Sequence, residues 1–175
     1  MEYPIEEHMH RFACWTAARA VSRGFTGGSN KAIAHLIENS KLRELLSKTV
    51  RDSISGRDGF DELHTKLRSQ LSKYNNGLGV GRAAKIIAIY IKTAIIPFEP
   101  YSEFSRFVHP PVDSILLNEL QKKGVTDKAL LSPWTKYTED QYKKVIKILW
   151  NSKDHLKFEY FWQIEVHWNG YRSKV

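Results

Sequence analysis

Asn75-Asn76-Gly77-Leu78-Gly79-Val80-Gly81, running into RAAKIIAIYIKTAII at 82–96, is the stretch on which the reading of the fold turns. Three glycines in five residues let a backbone turn with positive φ and approach a neighbour with no Cβ in between. The apolar run after them has helical character and should sit in the core. Free N–H groups at the start of such a helix, aided by its dipole, would face an anion such as a phosphate. Arg82 and Lys85 lie in its first turns and add positive charge. Gly79, Gly81, Arg82 and Lys85 are therefore candidate contacts for a phosphate backbone. An ordinary turn between two helices stays open as the alternative.

Working outward, the chain reads as helices separated by Gly, Pro and Ser. Residues 5–22 place Ile5, Met9, Phe12, Ala13, Ala17, Ala20 and Val21 close to a helical period. GFTGGSN (24–30) stops that helix, and Ser29 or Asn30 can cap the next, which is predicted to run to about Ser47. SISGRDG (53–59) reads as a loop, followed by a helix over 60–74 with leucines at 63, 67 and 71. After the 75–81 turn and its apolar helix comes an aromatic and proline-rich loop, PFEPYSEFSRFVHPP. Pro110 and Pro111 suit the first turn of a helix over 112–123, ended by Gly124. Thr138 with Gln141 forms a capping-box pattern for a helix to about Asn151, and a final helix is predicted over 155–168. The expectation is an all-α fold of about seven helices in two closely packed lobes. It forms a single domain over 1–175, with the turn-bearing centre at about 60–124.

Lys and Arg number 27 against 19 Asp and Glu, a formal charge of +8, which favours a polyanionic partner through counterion release. The lone cysteine, Cys14, excludes an intrachain disulfide and a cysteine-only metal cluster, and points to a reducing, cytoplasmic setting. Cys14 itself reads as a small buried residue. No apolar run reaches the length of a membrane span, and the acidic, polar MEYPIEEHMH start does not read as a secretory signal. His8 and His10 sit two apart, on different helix faces, and suggest no metal site.

The hairpin stretch and the segments up to residue 124 resemble the helix-hairpin-helix DNA glycosylases of the endonuclease III type. That family carries an L-x-G-V-G hairpin, an apolar helix, then a loop ending in V-D-x-x-V/L at the start of another helix. Here the matching residues are Leu78-Gly79-Val80-Gly81, the helix over 82–96, and His109-Pro110-Pro111-Val112-Asp113-Ser114-Ile115-Leu116-Leu117. The resemblance implies Asp113 as the catalytic carboxylate, which would stabilise an oxocarbenium-like sugar or activate water at C1′. It also implies double-stranded DNA as partner, crossing a cleft between the lobes, with no cofactor and no metal. Three departures stand out. Ala83 occupies the position of the Schiff-base lysine, so hydrolysis without strand cleavage is expected. Ala83 and Asp113 lie 30 residues apart, a longer separation than is usual in the family. No cysteine quartet for an iron–sulfur cluster is present.

Further residues fit this picture or compete with it. Trp15, Phe107, His109 and Trp134 are candidate walls for a flipped base, with core packing as the plainer reading of each. Arg11, Arg19 and Arg23 could form a phosphate-facing stripe or a solvated helix face. Glu159 and Glu165 lie in the aromatic C-terminal segment, where a buried carboxylate would have a raised pKa and could act as acid or base. Asp113 itself could be simply a helix-start residue, which leaves a non-catalytic DNA-binding module as an alternative. A further alternative is a ribonuclease of the HEPN type, which the spacing of Arg57 and His64 resembles. A glycosylase of this kind would serve DNA repair or defence against foreign DNA. The residues after Gly170 are predicted to be a frayed basic tail.

Overall fold

The computed structural model describes residues 2–26, 28–75 and 77–171, and among these it is all-helical, with no strand. Residues 172–175 of the basic tail predicted after Gly170, and Asn76 within the hairpin turn, lie outside the described residues. The helices are α1 Ile5–Ser22, α2 Asn30–Asn39, α3 Leu42–Leu45, α4 Lys48–Asp52 and α5 Gly56–Tyr74, then α6 Gly79–Ala94, α7 Glu103–Arg106 and α8 Ser114–Lys122, and finally α9 Glu139–Asn151 and α10 Lys153–Leu156. Short 3-10 turns span Lys128–Leu131, Trp134–Lys136 and Phe161–His167.

The count exceeds seven because local side chains break the longer runs. The helix predicted over 30–47 stops where the Ser40 hydroxyl bonds back to the Ile37 carbonyl at 2.8 Å and Lys41 turns left-handed, φ 55°. Polar side chains that bond the backbone locally compete with helix propagation in this way. The 53–59 loop is shorter than expected, since α5 already begins at Gly56 with φ +66°. Pro110 and Pro111 precede α8 as a buried segment outside the helix, and Asp113 is its N-cap. In place of a last α-helix over 155–168 the chain forms α10, turns left-handed at Lys157, and continues as the 3-10 turn Phe161–His167. There the Gln163 side-chain oxygen accepts the Glu159 and Tyr160 N–H groups at 3.0 Å each.

Elsewhere the local signals act as expected. Ser29 caps α2 by accepting from the Ala32 N–H, and Thr138 and Gln141 form the reciprocal capping box of α9. Cys14 is buried, and desolvation pushes its thiol up to about 12.

Two apolar clusters make the core. One joins α1, α2, α5 and most of α6, with Ala17, Ile37, Leu67, Leu71, Ile87 and Ile91 at its centre. The other gathers α8, α9 and the 3-10 segments around Leu116, Leu120, Tyr142, Leu149 and Ile164. Helix α6 borders both: Ala83 belongs to the first cluster and its neighbour Ala84 to the second. Each fully buried isoleucine of α6 contributes about 1.5–3 kcal/mol by removal from water. Sunk between two cores, α6 is a rigid mount for whatever its uncovered edge carries. No helix among the described residues is long and apolar enough to cross a membrane.

Candidate functional site on the uncovered edge of helix 6

One stripe of α6 runs, by helical spacing, through Arg82, Lys85, Ile89, Lys92 and Thr93, of which Lys85 is buried and the others are at least partly exposed. One flank of the stripe is α1. The Thr16 and Thr93 hydroxyls lie 3.3 Å apart, and Arg82 donates to the Gly24 carbonyl at 3.1 Å. The other flank is the start of α8 and the C-terminal 3-10 segment. There Lys85 Nζ meets Asp113 Oδ2 at 2.9 Å, and Lys92 ion-pairs with Glu165.

Asp113 is held from three directions. As N-cap of α8 it accepts the Leu116 N–H on Oδ1 at 2.9 Å. Its Oδ2 accepts Lys85 Nζ at 2.9 Å and the Trp168 indole N–H at 3.2 Å. The residue is 7% exposed, so the ionised carboxylate depends on these donors for its solvation. Above Lys85, the Trp134 ring lies 4.8 Å from the ammonium. Glu165 sits close enough to feel both members of the pair. Burial raises its carboxyl above the usual range, with the Lys92 ammonium opposing the shift and Asp113 adding to it. The stripe therefore carries two carboxylates in unlike surroundings, each matched to an ammonium from α6.

The glycines before α6 do different jobs. Gly79 adopts φ +71°, which a β-carbon would strain. Gly81 is pressed against the turn Trp134–Lys136, where a Cβ would overlap the Trp134 backbone carbonyl. The N-terminus of α6 has no side-chain cap, so its first amides are left without a protein side chain to satisfy them.

Of the residues singled out from the sequence, Asp113, Lys85 and Trp134 come together, but Lys85 is not an exposed phosphate contact. Its long side chain folds under Trp134 onto Asp113, leaving it 9% exposed. Arg82 likewise lies over the Phe25 ring at 4.8 Å and ties down the end of α1. Ala83 is fully buried, so the position where the resemblance would put a lysine faces the core. Phe107 and His109 are not in this group. Phe107 packs near Trp150, and His109 is buried between α5 and α9, bonded to Asp61 and Tyr142. Trp15 stands half-exposed on α1, stacked on Phe12 and covered by the Arg19 guanidinium at 5.0 Å. Of the two carboxylates in the aromatic C-terminal segment, Glu159 is exposed and paired with Arg106, while Glu165 is largely covered, its side chain 14% exposed. Trp168 is a member of the site that sequence reasoning misses: it follows the last buried turn, and nothing in its neighbours signals an indole aimed at residue 113.

Arg57 and His64 do not form a joint site. His64 is 1% exposed beneath Arg68, whereas Arg57 points to Asp61 and the Trp150 ring. Among the described residues no group of His, Cys, Asp and Glu has the arrangement to hold a metal ion. No family model, no curated protein and no solved structure matches this chain.

Proposed function

We propose that this protein binds double-stranded DNA and hydrolyses the N-glycosidic bond of a damaged or modified base. The observation that carries the reading is the pair of unlike carboxylates, Asp113 before α8 and Glu165 in the C-terminal 3-10 segment, that meet Lys85 and Lys92 of α6. Two carboxylates in contrasting surroundings are a means of assigning acid and base roles.

Asp113 takes three donors, including an ammonium. It favours the positive charge that develops on the sugar as the C1′–N bond breaks, and it accepts the proton of the water that adds at C1′. Glu165, whose carboxyl burial raises above the usual range against the opposing Lys92 ammonium, is the group assigned to donate a proton to the departing base. The balance is one water consumed, one free base and one abasic sugar released, with no cofactor and no covalent intermediate. Trp134 and Trp168, flanking Lys85 and Asp113, are walls for an extruded base. The exposed Gly79, at a helix start without a side-chain cap, and the net charge of +8 suit a backbone phosphate. In this reading the two apolar clusters serve as the two lobes, and α5, the glycine turn and α6 serve as the helix-hairpin-helix.

The test is a screen for abasic sites. Genomic DNAs and oligonucleotides carrying varied lesions and base modifications are incubated with the protein and then cleaved with alkali. Alkali-dependent breaks at one class of base support the reading, and borohydride should trap no protein–DNA adduct. A second reading, a binding module without chemistry, is favoured by the complete hydrogen bonding of Asp113, which also describes a structural helix cap. Steeply salt-dependent binding with no break anywhere in the panel would select it.

A further inference from the structure

Away from the Asp113 stripe, a cavity of about 230 Å³ opens between α5 and α9. Arg68, His109 and Tyr142 line its depth and are 3%, 5% and 2% exposed. Arg57, Lys143 and Lys147 stand at its mouth with Asp61 and Thr65. We propose that this recess binds a phosphomonoester, the terminal dianionic phosphate of a nucleotide or of a DNA 5′ end.

The charges decide the sign of the ligand. Asp61 is already engaged, accepting from His109 Nε2 at 2.8 Å and pairing with Arg57 at 3.6 Å. Burial works against its charge, but the His109 bond and the nearby guanidiniums hold its carboxyl below the usual range. Glu139, the other nearby carboxylate, is taken by Arg68 at 2.6 Å. Lys143 and Lys147 have no carboxylate within ion-pairing distance among the described residues. The mouth is thus left with a positive excess that no protein group answers. Lysines so placed act as point charges for phosphate, and Arg57 brings a fork of donors.

Shape decides between ester types. A diester passes along a surface and needs an open rail. This recess instead ends on buried side chains and holds the volume of seven or eight waters at roughly 30 Å³ each, room for a terminal phosphate and part of the group that bears it. The inner wall is ordered for the purpose. His109 Nδ1 lies 3.0 Å from the Tyr142 hydroxyl and its Nε2 2.8 Å from Asp61 Oδ1, so both ring nitrogens are engaged. Buried His64 lies behind it, ring to ring at 4.5 Å, with Arg68 donating to its Nδ1 and its Nε2 lacking any partner among the described residues. This site does not depend on any role for Asp113.

The experiment titrates inorganic phosphate into the intact protein and follows the His109 ring resonances by NMR. It is repeated with the Lys143→Glu, Lys147→Glu double variant and with an equal charge change at the exposed Lys31 and Lys128. The expected result is a saturable shift, tighter as rising pH gives the inorganic phosphate its second negative charge. Affinity should fall at least tenfold in the Lys143/Lys147 variant and little in the control. A second arm compares one oligonucleotide with and without a 5′ phosphate. Phosphate-competed preference for the phosphorylated end assigns the site to DNA ends. Equal binding of the two ends, with saturable binding of free phosphate retained, assigns it to a small phosphomonoester. No saturable shift in the wild type, or equal losses in the two variants, overturns the proposal.

Discussion

The Lys85–Asp113 pair and the His64–His109 cluster are both buried polar groups in an apolar helical frame, and they are satisfied in opposite ways. At Asp113 every carboxylate oxygen has a donor and the single ammonium has its anion. Around His64 and His109 the inner bonds are made, yet among the described residues a ring nitrogen is left without a partner and two lysines at the mouth have no anion. The first arrangement is closed and stiff, suited to holding a reactive group in place. The second is open-ended, with charge waiting on something from outside. Burial alone therefore does not separate structure from function here; the unanswered valences do.

The largest effect should come from breaking the closed site. Asp113→Ala removes a helix cap and strands a buried ammonium, and should destabilise the fold by about 3–5 kcal/mol in denaturant melts. Adding Lys85→Met should recover a large part of that loss. Additive losses in the double variant would mean the pair is not coupled, and the contrast with the open cluster would fail.

Next is Gly81→Ala, whose Cβ runs into the Trp134 backbone carbonyl. It should cost about 1–3 kcal/mol by forcing the Trp134–Lys136 turn away from Lys85. Gly79→Ala, strained only by its positive φ, should cost about 1 kcal/mol. Equal costs would show that the turn yields freely and does not hold the site.

The glycines also show how much is legible in the chain. The hairpin stretch announces a tight turn before a buried helix, and the order Gly81, then Asp113 at a helix start, can be read because capping and turn signals are local. Lys85 is misassigned from sequence because a flexible lysine four residues after a turn can reach outward or inward, and only the position of α8 decides which. His109 is misplaced for the same reason: Pro110 and Pro111 carry the chain from the α5–α9 recess to Asp113, so residues four apart serve different sites. Trp168 and the burial of Glu165 depend on the C-terminal segment folding back over α6, a long-range event without a local pattern. The split of the 30–47 helix turns on one serine hydroxyl bonding its own backbone.

Acid should act on the open cluster. Burial lowers the proton affinity of both His64 and His109. The unfolded chain then binds more protons than the folded one once pH drops below the ordinary histidine value near 6.5, and stability falls. Each imidazole can contribute up to about 1.4 kcal/mol per pH unit in that window. Melts between pH 7 and pH 5 should show this decline, and His64→Phe should make it shallower. An unchanged slope would mean that the cluster is not the acid-sensitive element.

A smaller effect is expected at the start of α9. Thr138→Ala removes the capping box next to Glu139, the partner of Arg68, and should cost about 1 kcal/mol without altering base release. Any change in base release would tie the two regions together more closely than their separate partners suggest.

The most direct measurement is the single-turnover rate of base release by wild type and Asp113→Asn on the same DNA, with melting curves showing that both are folded. Asparagine keeps the size of the side chain and removes the charge that the developing sugar cation requires. A drop of about a hundredfold or more is predicted. Equal rates in two folded proteins would contradict the assignment and leave Asp113 as the cap of α8 and nothing more.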